Sequence, residues 1–156
     1  MKALRNVLLA AAVCAVAVPA AAQTHDSTVI GRFIASEVRR LGGEEYREAR
    51  KIVTGDLNGD GRADAAVLYT IEGAGGGNNY AQFLAVFVRD EEGQLAPAAH
   101  ASAGGKLYRE AHLVSITDGA VLLNVVNYAE KDAACCPSKK GTTRYTLVDG
   151  KLVEQK

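Results

Sequence analysis

The sequence predicts an α+β fold in which one N-terminal helix packs on a curled antiparallel β-meander of about six to eight strands. Helical periodicity of apolar residues is confined to one early segment, residues 26–41. The chain that follows consists of short runs rich in Val, Ile, Leu, Tyr and Thr, which are typical of strands. Asp-Gly pairs separate several of these runs, as they do in tight hairpins.

The first 22 residues have the pattern of a secretory signal peptide. Lys2 and Arg5 give a basic start, an apolar run of 12 residues extends from Val7 to Val18, and Ala20 to Ala22 supply small residues for cleavage. The run is shorter than the roughly 20 apolar residues that a membrane-spanning helix needs. We therefore predict cleavage near Ala22, a periplasmic or secreted protein and no transmembrane segment.

Residues 23–156 are enough for a single α+β domain with a modest core. Removal of residues 1–22 takes away two basic residues and leaves 16 basic and 18 acidic residues. Nucleic-acid binders usually carry a basic excess or a basic face, so we expect no nucleic-acid partner. Cys14 lies inside the signal peptide, and since no lipoprotein signal precedes it, we expect it to be removed.

The predicted helix spans residues 26–41, where apolar side chains recur at spacings that line one face. Asp26 or Ser27 can cap its start, and Gly42-Gly43 can end it. A domain of this size needs this face in its core, so we expect the helix to lie on the sheet. The face consists of Val29, Ile30, Phe33, Ile34, Val38 and Leu41.

The predicted strands are joined by tight turns. Asp118-Gly119 and Asp149-Gly150 suit two-residue hairpins, and Asp90 to Gly93 forms a longer joint. The run from Ala120 to Val126 is apolar almost throughout, which predicts a central strand covered on both faces. The predicted strands are Arg47 to Thr54, Ala65 to Ile71, Tyr80 to Arg89, Leu107 to Thr117, Ala120 to Tyr128, Thr143 to Val148 and Lys151 to Glu154.

The segment between the first two predicted strands has the spacing of a calcium-binding loop. Oxygen-bearing side chains stand at positions 1, 3, 5 and 9, and a glycine stands at position 6, where such loops turn sharply. Three carboxylates this close would repel one another without a cation. The alternative is an ordinary Asp- and Gly-rich turn that holds no metal. The four side chains are Asp56, Asn58, Asp60 and Asp64.

Position 12 of this loop is Val67 rather than the Glu that closes an EF-hand, so Asp64 must act as a direct ligand in its place. Residues 55–68 resemble the strand-flanked calcium loops of FG-GAP and VCBS repeats. The resemblance implies side-chain coordination by Asp56, Asn58, Asp60 and Asp64, with a backbone carbonyl from Arg62 and Ca²⁺ as a structural clip. This chain holds a single copy of the motif, so we do not expect a propeller.

Cys135 and Cys136 are the two cysteines of residues 23–156, and they are adjacent. Free thiols tend not to persist in exported proteins, so we predict a vicinal disulfide, although neighbouring Cα atoms are only about 3.8 Å apart. Ordinary disulfides have Cα separations of roughly 4.4 to 6.8 Å. The bond would stiffen a turn before Pro137; redox switching and pairing between molecules are the alternatives.

The C-terminal third combines Asn127-Tyr128, Asp132, a Cys-Cys-Pro-Ser turn at 135–138 and a closing hairpin at Asp149-Gly150. Together these residues resemble the ending of small exported bacterial lipoproteins of the LppP/LprE type. The resemblance implies a location in the bacterial envelope, and it implies no activity.

The three histidines, His25, His100 and His112, have no Ser, Cys or Asp at a spacing that suggests a triad, so we predict no catalytic residue. The sequence favours a non-catalytic envelope module that binds calcium and an unknown protein or small ligand. One alternative is a secreted inhibitor of a hydrolase such as a lysozyme or protease, with residues 72–80 or 132–141 inserted into the cleft. Another is a calcium-dependent enzyme.

Overall fold

The computed structural model describes residues 20–155, so most of the predicted signal peptide lies outside the described residues. The predicted fold is confirmed, since one α-helix packs on a nine-stranded antiparallel sheet. No helix in the described part is long and apolar enough to cross a membrane. The elements are α1 (Ala20–Leu41), β1 (Glu44–Glu45), a 3₁₀ helix (Arg47–Ala49), β2 (Lys51–Gly55), β3 (Asp64–Glu72), β4 (Tyr80–Arg89), β5 (Leu95–Gly105), β6 (Arg109–Thr117), β7 (Ala120–Asn127), β8 (Lys139–Val148) and β9 (Lys151–Gln155).

Helix α1 ends where predicted and begins earlier than predicted. It already includes Ala20, so Asp26 and Ser27 lie within it and the predicted capping of its start is wrong. At its other end Gly42 and Gly43 have positive φ angles of 71° and 107°. Position 43 requires glycine, because an added Cβ would lie 2.2 Å from the carbonyl oxygen of Glu72.

The sheet is a meander in which each strand from β3 to β9 pairs with the next, while β1 and β2 both pair with β3. Strands β5 and β6 share only the Gly105–Arg109 pair. The sheet therefore divides into two halves, β1–β5 and β6–β9, which fold over one another. At one point of contact, a Cβ added to Gly55 of β2 would lie 2.7 Å from Cβ of Ile116 in β6.

Strand β3 is buried on both faces, and every residue from Asp64 to Ile71 is buried. Successive strand residues point to opposite sides, so its two faces enter two different cores. One core lies under helix α1 and the other lies between the halves of the sheet. The first contains Ile30, Ile34, Ala65, Val67, Tyr69, Ile71, Ala85, Phe87 and Leu95, and the second contains Leu57, Ala66, Leu68, Leu84, Val86, Ala103, Ala111, Leu113, Val121, Leu123, Val125 and Tyr145.

Strand β7 does not have the predicted cover on both faces. Val121, Leu123 and Val125 point into the core, whereas Leu122 is half-buried and Asn124 is exposed. The outer face of β7 is open because the helix covers the other half of the sheet. Strand β3 is instead buried on both sides along almost its whole length, and β4 is buried on both sides from Leu84 to Phe87.

Two strands were not predicted. Strand β5 is rich in Ala and Gly and contains Pro97, residue types with low strand propensity, yet it pairs with β4 along most of its length. Strand β1 places Glu44 and Glu45 opposite β3 rather than in a turn. The predicted strand starting at Leu107 begins instead at Arg109.

The two predicted Asp-Gly hairpins are confirmed. Asp118 and Gly119 have φ angles of 52° and 68°, and Asp149 and Gly150 have φ angles of 48° and 70°. Positive φ at both central residues matches the right-handed twist of the flanking strands.

The connections of the sheet separate into two groups at opposite ends. Three loops, residues 73–79, 106–108 and 128–138, leave the sheet at one end, because Ala81, Gly105, Arg109, Asn127 and Lys139 form a single row across it. We name these three loops together the loop end. The predicted calcium loop between β2 and β3 lies at the other end, so it is separated from the glycine-rich loop 73–79 by the full length of β3.

Two Gly→Ala substitutions test the contact between the halves. We expect Gly55→Ala to lower the free energy of unfolding by about 1–3 kcal/mol, because the new methyl group would overlap Ile116. The matched control Gly31→Ala lies in α1 with no atom within 4 Å of the added Cβ, and we expect it to raise that free energy by roughly 0.5–1 kcal/mol. Urea unfolding measures both, and a neutral Gly55→Ala variant would contradict the close packing of β2 on β6.

Candidate functional site

The predicted calcium loop is wound around the carboxylate of Asp56. Its two oxygens accept hydrogen bonds from the backbone N–H groups of Gly59 and Gly61, at 2.7 and 2.8 Å. Both glycines have φ angles of 79°, in the left-handed region that glycine adopts without steric cost. The residue at position 1 thus organises the turn through position 6 by accepting two backbone N–H groups.

Asn58, Asp60 and Arg62 form a second set of contacts within the loop. One oxygen of Asp60 accepts the Arg62 N–H at 2.8 Å, and the other contacts the Asn58 amide at 2.8 Å and the Arg62 guanidinium at 2.9 Å. The backbone N–H of Arg62, the Asn58 amide and the charge of Arg62 hold the pKa of Asp60 below its ordinary value. Asp60 therefore remains a carboxylate, the form that a cation requires.

Asp64 opens β3 and is completely buried, with 0% of its surface exposed. One of its oxygens accepts the N–H of Leu57 and the other accepts the N–H of Arg89, each at 2.8 Å. A buried charge is stable when hydrogen bonds compensate it. Asp64 consequently fastens the start of the loop and the end of β4 to the start of β3.

The structure gathers these predicted ligands only in part. Asn58 contacts Asp60, and Asp56 shares their turn, but both oxygens of Asp64 already accept backbone hydrogen bonds. Within residues 20–155, no three His, Cys, Asp or Glu side chains form a group arranged for a metal ion. The donor chemistry still fits calcium, since the loop supplies hard oxygen ligands and each carboxylate oxygen has a further lone pair. Calcium binding stays a prediction.

Arg89 connects this loop to the helix, and the sequence contained no local signal for that role. Its guanidinium donates to the carbonyl oxygens of Ala63 and Gly93 and forms an ion pair with Asp26 of α1, where the shortest N–O distance is 2.6 Å. Its own carbonyl accepts a hydrogen bond from the Arg62 side chain at 3.3 Å. The loop, the turn after β4 and helix α1 are therefore joined through one side chain.

At the loop end, Cys135 and Cys136 form the predicted vicinal disulfide, with a Cα–Cα distance of 3.8 Å. Asp132 organises the loop around them by accepting the N–H groups of Ala129 and Ser138, at 2.7 and 2.8 Å. The hydrogen bonds from Ala129 and Ser138 lower the pKa of Asp132. The disulfide thus lies in an exposed loop that a carboxylate holds in shape.

A second buried charge, Arg109, lies beneath the loop end and is only 5% exposed. Its guanidinium donates to the carbonyl of Ala103, the carboxylate of Glu154 and the hydroxyl of Tyr145, at 2.6, 2.6 and 2.7 Å. Burial raises the pKa of Tyr145 to about 12. Burial acts to raise the pKa of Glu154, but hydrogen bonds from Arg109 and Thr143 outweigh it and the pKa is lowered. This cluster joins β5, β6, β8 and β9.

Two histidines lie beside glutamates on separate surfaces. His100 Nε2 is 3.7 Å from a Glu37 oxygen, and His112 Nε2 is 3.2 Å from a Glu110 oxygen. The His100 ring also contacts the Phe33 ring, edge to face. Both histidine side chains are exposed, and His112 and Glu110 form a solvated surface pair. Glu37 is buried and also accepts hydrogen bonds from Arg40.

Comparisons of this chain with models of protein families, with curated proteins and with solved structures found no match.

We expect Asp64→Asn to lower the free energy of unfolding by about 1–3 kcal/mol in the presence of EDTA, because an amide group would face a buried backbone N–H. The control is Asp60→Asn, an exposed position at which we expect a smaller loss under the same conditions. Denaturant unfolding without metal measures both. Equal effects would show that Asp64 has no structural role beyond that of the exposed loop residues.

The Arg109–Glu154 pair predicts a pH dependence of stability. The pKa of Glu154 is lower in the folded state, so its contribution is present above the unfolded value of about 4.3 and is lost as the pH falls through the folded pKa. We expect Glu154→Gln to cost about 1 kcal/mol at pH 7 for this partly exposed pair. The difference from the wild type should shrink below about pH 5. The control Glu92→Gln changes an exposed position, and we expect it to leave the free energy of unfolding at pH 7 unchanged.

Proposed function

We propose that this chain is an exported, non-catalytic binding module in which Ca²⁺ clips the loop between β2 and β3. Asp56, Asn58 and Asp60 would hold the ion through side-chain oxygens, and Arg62 would add its carbonyl. Asp64 would contribute only through lone pairs that its two backbone hydrogen bonds leave open. The bound ion would supply an electrostatic cross-link between the start and the end of the loop.

The observation that carries this proposal is the winding of the loop around Asp56. The amides of Gly59 and Gly61 point at its carboxylate, so Asp60, which lies between these two glycines, shares the turn with position 1. Asp60 is held in its charged form, and in the structure its negative charge is balanced by the Arg62 guanidinium at 2.9 Å. A divalent cation can take over that balancing role, after which Arg62 would be released toward solvent.

Two features support export. The first is the basic, apolar and small-residue order of residues 1–22. The second is the disulfide between Cys135 and Cys136, a bond that persists mainly in oxidising compartments. Extracellular calcium modules bind with dissociation constants of about 10⁻⁴ to 10⁻³ M, which suits a structural role at the calcium concentrations outside cells.

We expect 10 mM Ca²⁺ to stabilise the wild type by about 1.4–2.7 kcal/mol at that range of affinity. For a domain of this size, this is a rise in melting temperature of roughly 5–10 °C. Asp60→Ala should abolish the rise because it removes the ligand at position 5. The control Glu91→Ala changes an exposed acidic residue at the same end and should retain the full rise. Thermal unfolding with Ca²⁺ and with EDTA measures the shift, and an undiminished shift in Asp60→Ala would refute the site.

A specific observation also favours the second candidate function, inhibition of a hydrolase. The two segments that the sequence suggested for insertion into a cleft, residues 72–80 and 132–141, lie largely in loops that leave the sheet at the same end. They flank the turn at residues 106–108, and Lys106 bonds directly to the first of them. One face of the molecule could therefore present both segments to one partner.

A further inference from the structure

The tip of the β5–β6 hairpin exposes apolar side chains that the fold does not use. Leu107 is 65% exposed, the most exposed of the large apolar side chains in the described part of the chain, and its neighbour Tyr108 is 48% exposed. The two lie in a turn closed by a hydrogen bond from the Tyr108 N–H to the Gly105 carbonyl at 3.1 Å. Neither side chain belongs to the two cores.

The backbone of Leu107 is strained, since its φ angle is 62°. A bulky residue rarely adopts a positive φ angle. Leu107 is the third residue of the four-residue turn 105–108, and a third turn residue with positive φ is normally Gly or Asn. Elsewhere in the described residues, positive φ falls on glycine or on the aspartates of the two Asp-Gly hairpins. An exposed leucine in this conformation costs stability and adds no burial. Such strain is typical of residues that serve binding rather than folding.

Hydrogen bonds fasten the tip to the loop before β4. The Lys106 backbone N–H donates to the Tyr80 carbonyl at 3.1 Å, and its ammonium group donates to the Asn78 carbonyl at 2.6 Å. The Tyr108 ring lies 4.9 Å from the guanidinium carbon of Arg109, which is itself fixed by the buried cluster. A contact surface ordered in advance loses little conformational entropy on binding.

The neighbouring loops extend this tip into a larger protruding surface. On one side lies the glycine-rich loop that Lys106 contacts, and the disulfide loop 128–138 leaves the same row of the sheet. The Tyr128 hydroxyl donates to the Ala134 carbonyl at 2.8 Å and ties that loop back to the end of β7. The loop end thus has an apolar tip surrounded by polar and charged residues, which is the arrangement of a binding hot spot and its rim.

We propose that the loop end docks into the substrate cleft of a glycan-cleaving hydrolase of the lysozyme type. The inference rests on the proposed binding-module function and names its partner class. Leu107 and Tyr108 are the anchors, and Lys106, whose ammonium keeps two further donors after its bond to Asn78, faces acidic groups of the cleft.

Charge and shape favour this partner. Glycoside hydrolases carry a pair of carboxylates across the scissile bond, so their clefts suit a cation such as the Lys106 ammonium. Peptide-cleaving enzymes of the Ser-His-Asp type have no such pair of acids in direct contact with the substrate. The tight turn of residues 105–108 also differs from the extended peptides that can add to the edge of a sheet.

The test measures inhibition of purified chicken-type, goose-type and invertebrate-type lysozymes on cell-wall suspensions, together with binding by calorimetry. We expect saturable inhibition of at least one of them by the full exported chain. Leu107→Gly should weaken it at least tenfold while the melting temperature stays equal or rises, because glycine relieves the strained φ angle. Tyr108→Ala should also weaken it, and Lys106→Gln should weaken it and reduce its dependence on salt.

The matched control is Val153→Ala, which truncates an exposed apolar side chain on β9 outside the loop end and should leave inhibition unchanged. Absence of inhibition and binding at 100 µM wild-type protein with all three lysozymes would overturn the proposal. Inhibition that Leu107→Gly and Tyr108→Ala leave intact would overturn the assignment of the anchors. The melting-temperature shift with Ca²⁺, measured on the same samples, tests the calcium site separately, so loss of one property with retention of the other identifies which proposal fails.

Discussion

The double burial of β3 is the constraint on which the rest of the structure depends. One face of this strand packs under helix α1, and the other face packs against the second half of the sheet. Alternate residues of a strand point to opposite sides, so the neighbours Val67 and Leu68 lie in different cores. Strand β4 also contributes residues to both cores, so β3 and β4 together couple the helix to strands β6–β9.

Buried charges complete the structure where this apolar packing ends. Asp64 at the first residue of β3 accepts two backbone N–H groups, and Arg109 at the first residue of β6 donates to a carbonyl and to two side chains. A charge removed from water is tolerated only with such compensation. Each of the two residues therefore specifies one geometry for the segments it joins. Asp64 does so near the predicted calcium loop, and Arg109 does so beneath the loop end.

Local signals allowed much of the fold to be predicted. Apolar periodicity located α1, Asp-Gly pairs located two hairpins, and adjacency of Cys135 and Cys136 located the disulfide. Strand β5 was missed because its Ala, Gly and Pro residues have no strand preference, and it forms because β4 offers it a paired edge. The apolar run of β7 was read as doubly buried because its sequence does not show which half of the sheet the helix covers.

The site was predicted less completely because its partners come from distant parts of the chain. The spacing of Asp56, Asn58 and Asp60 is local and identified a folded loop, but the hydrogen bond from Arg89 to Asp64 spans 25 residues. The link from Arg89 to Asp26 spans 63 residues. Leu107 was assigned to a strand because leucine rarely occupies a turn position with positive φ. For Asp64 and Arg89, tertiary contacts that the local sequence does not show decide the geometry.

The predicted calcium loop and the loop end lie at opposite ends of β3. Strand β3 has nine residues, and at about 3.3 Å per residue its ends are roughly 26 Å apart. A cation at the Asp56 end would therefore add stability to the shared strand without touching the loop end, where an exposed leucine reduces stability. Proteins have little stability to lose, so the strain at Leu107 must be offset elsewhere in the fold. A stable β3 provides that offset. If both proposals hold, calcium bound at the loop between β2 and β3 would support the loop end through the free energy of the whole fold rather than through a change in its shape.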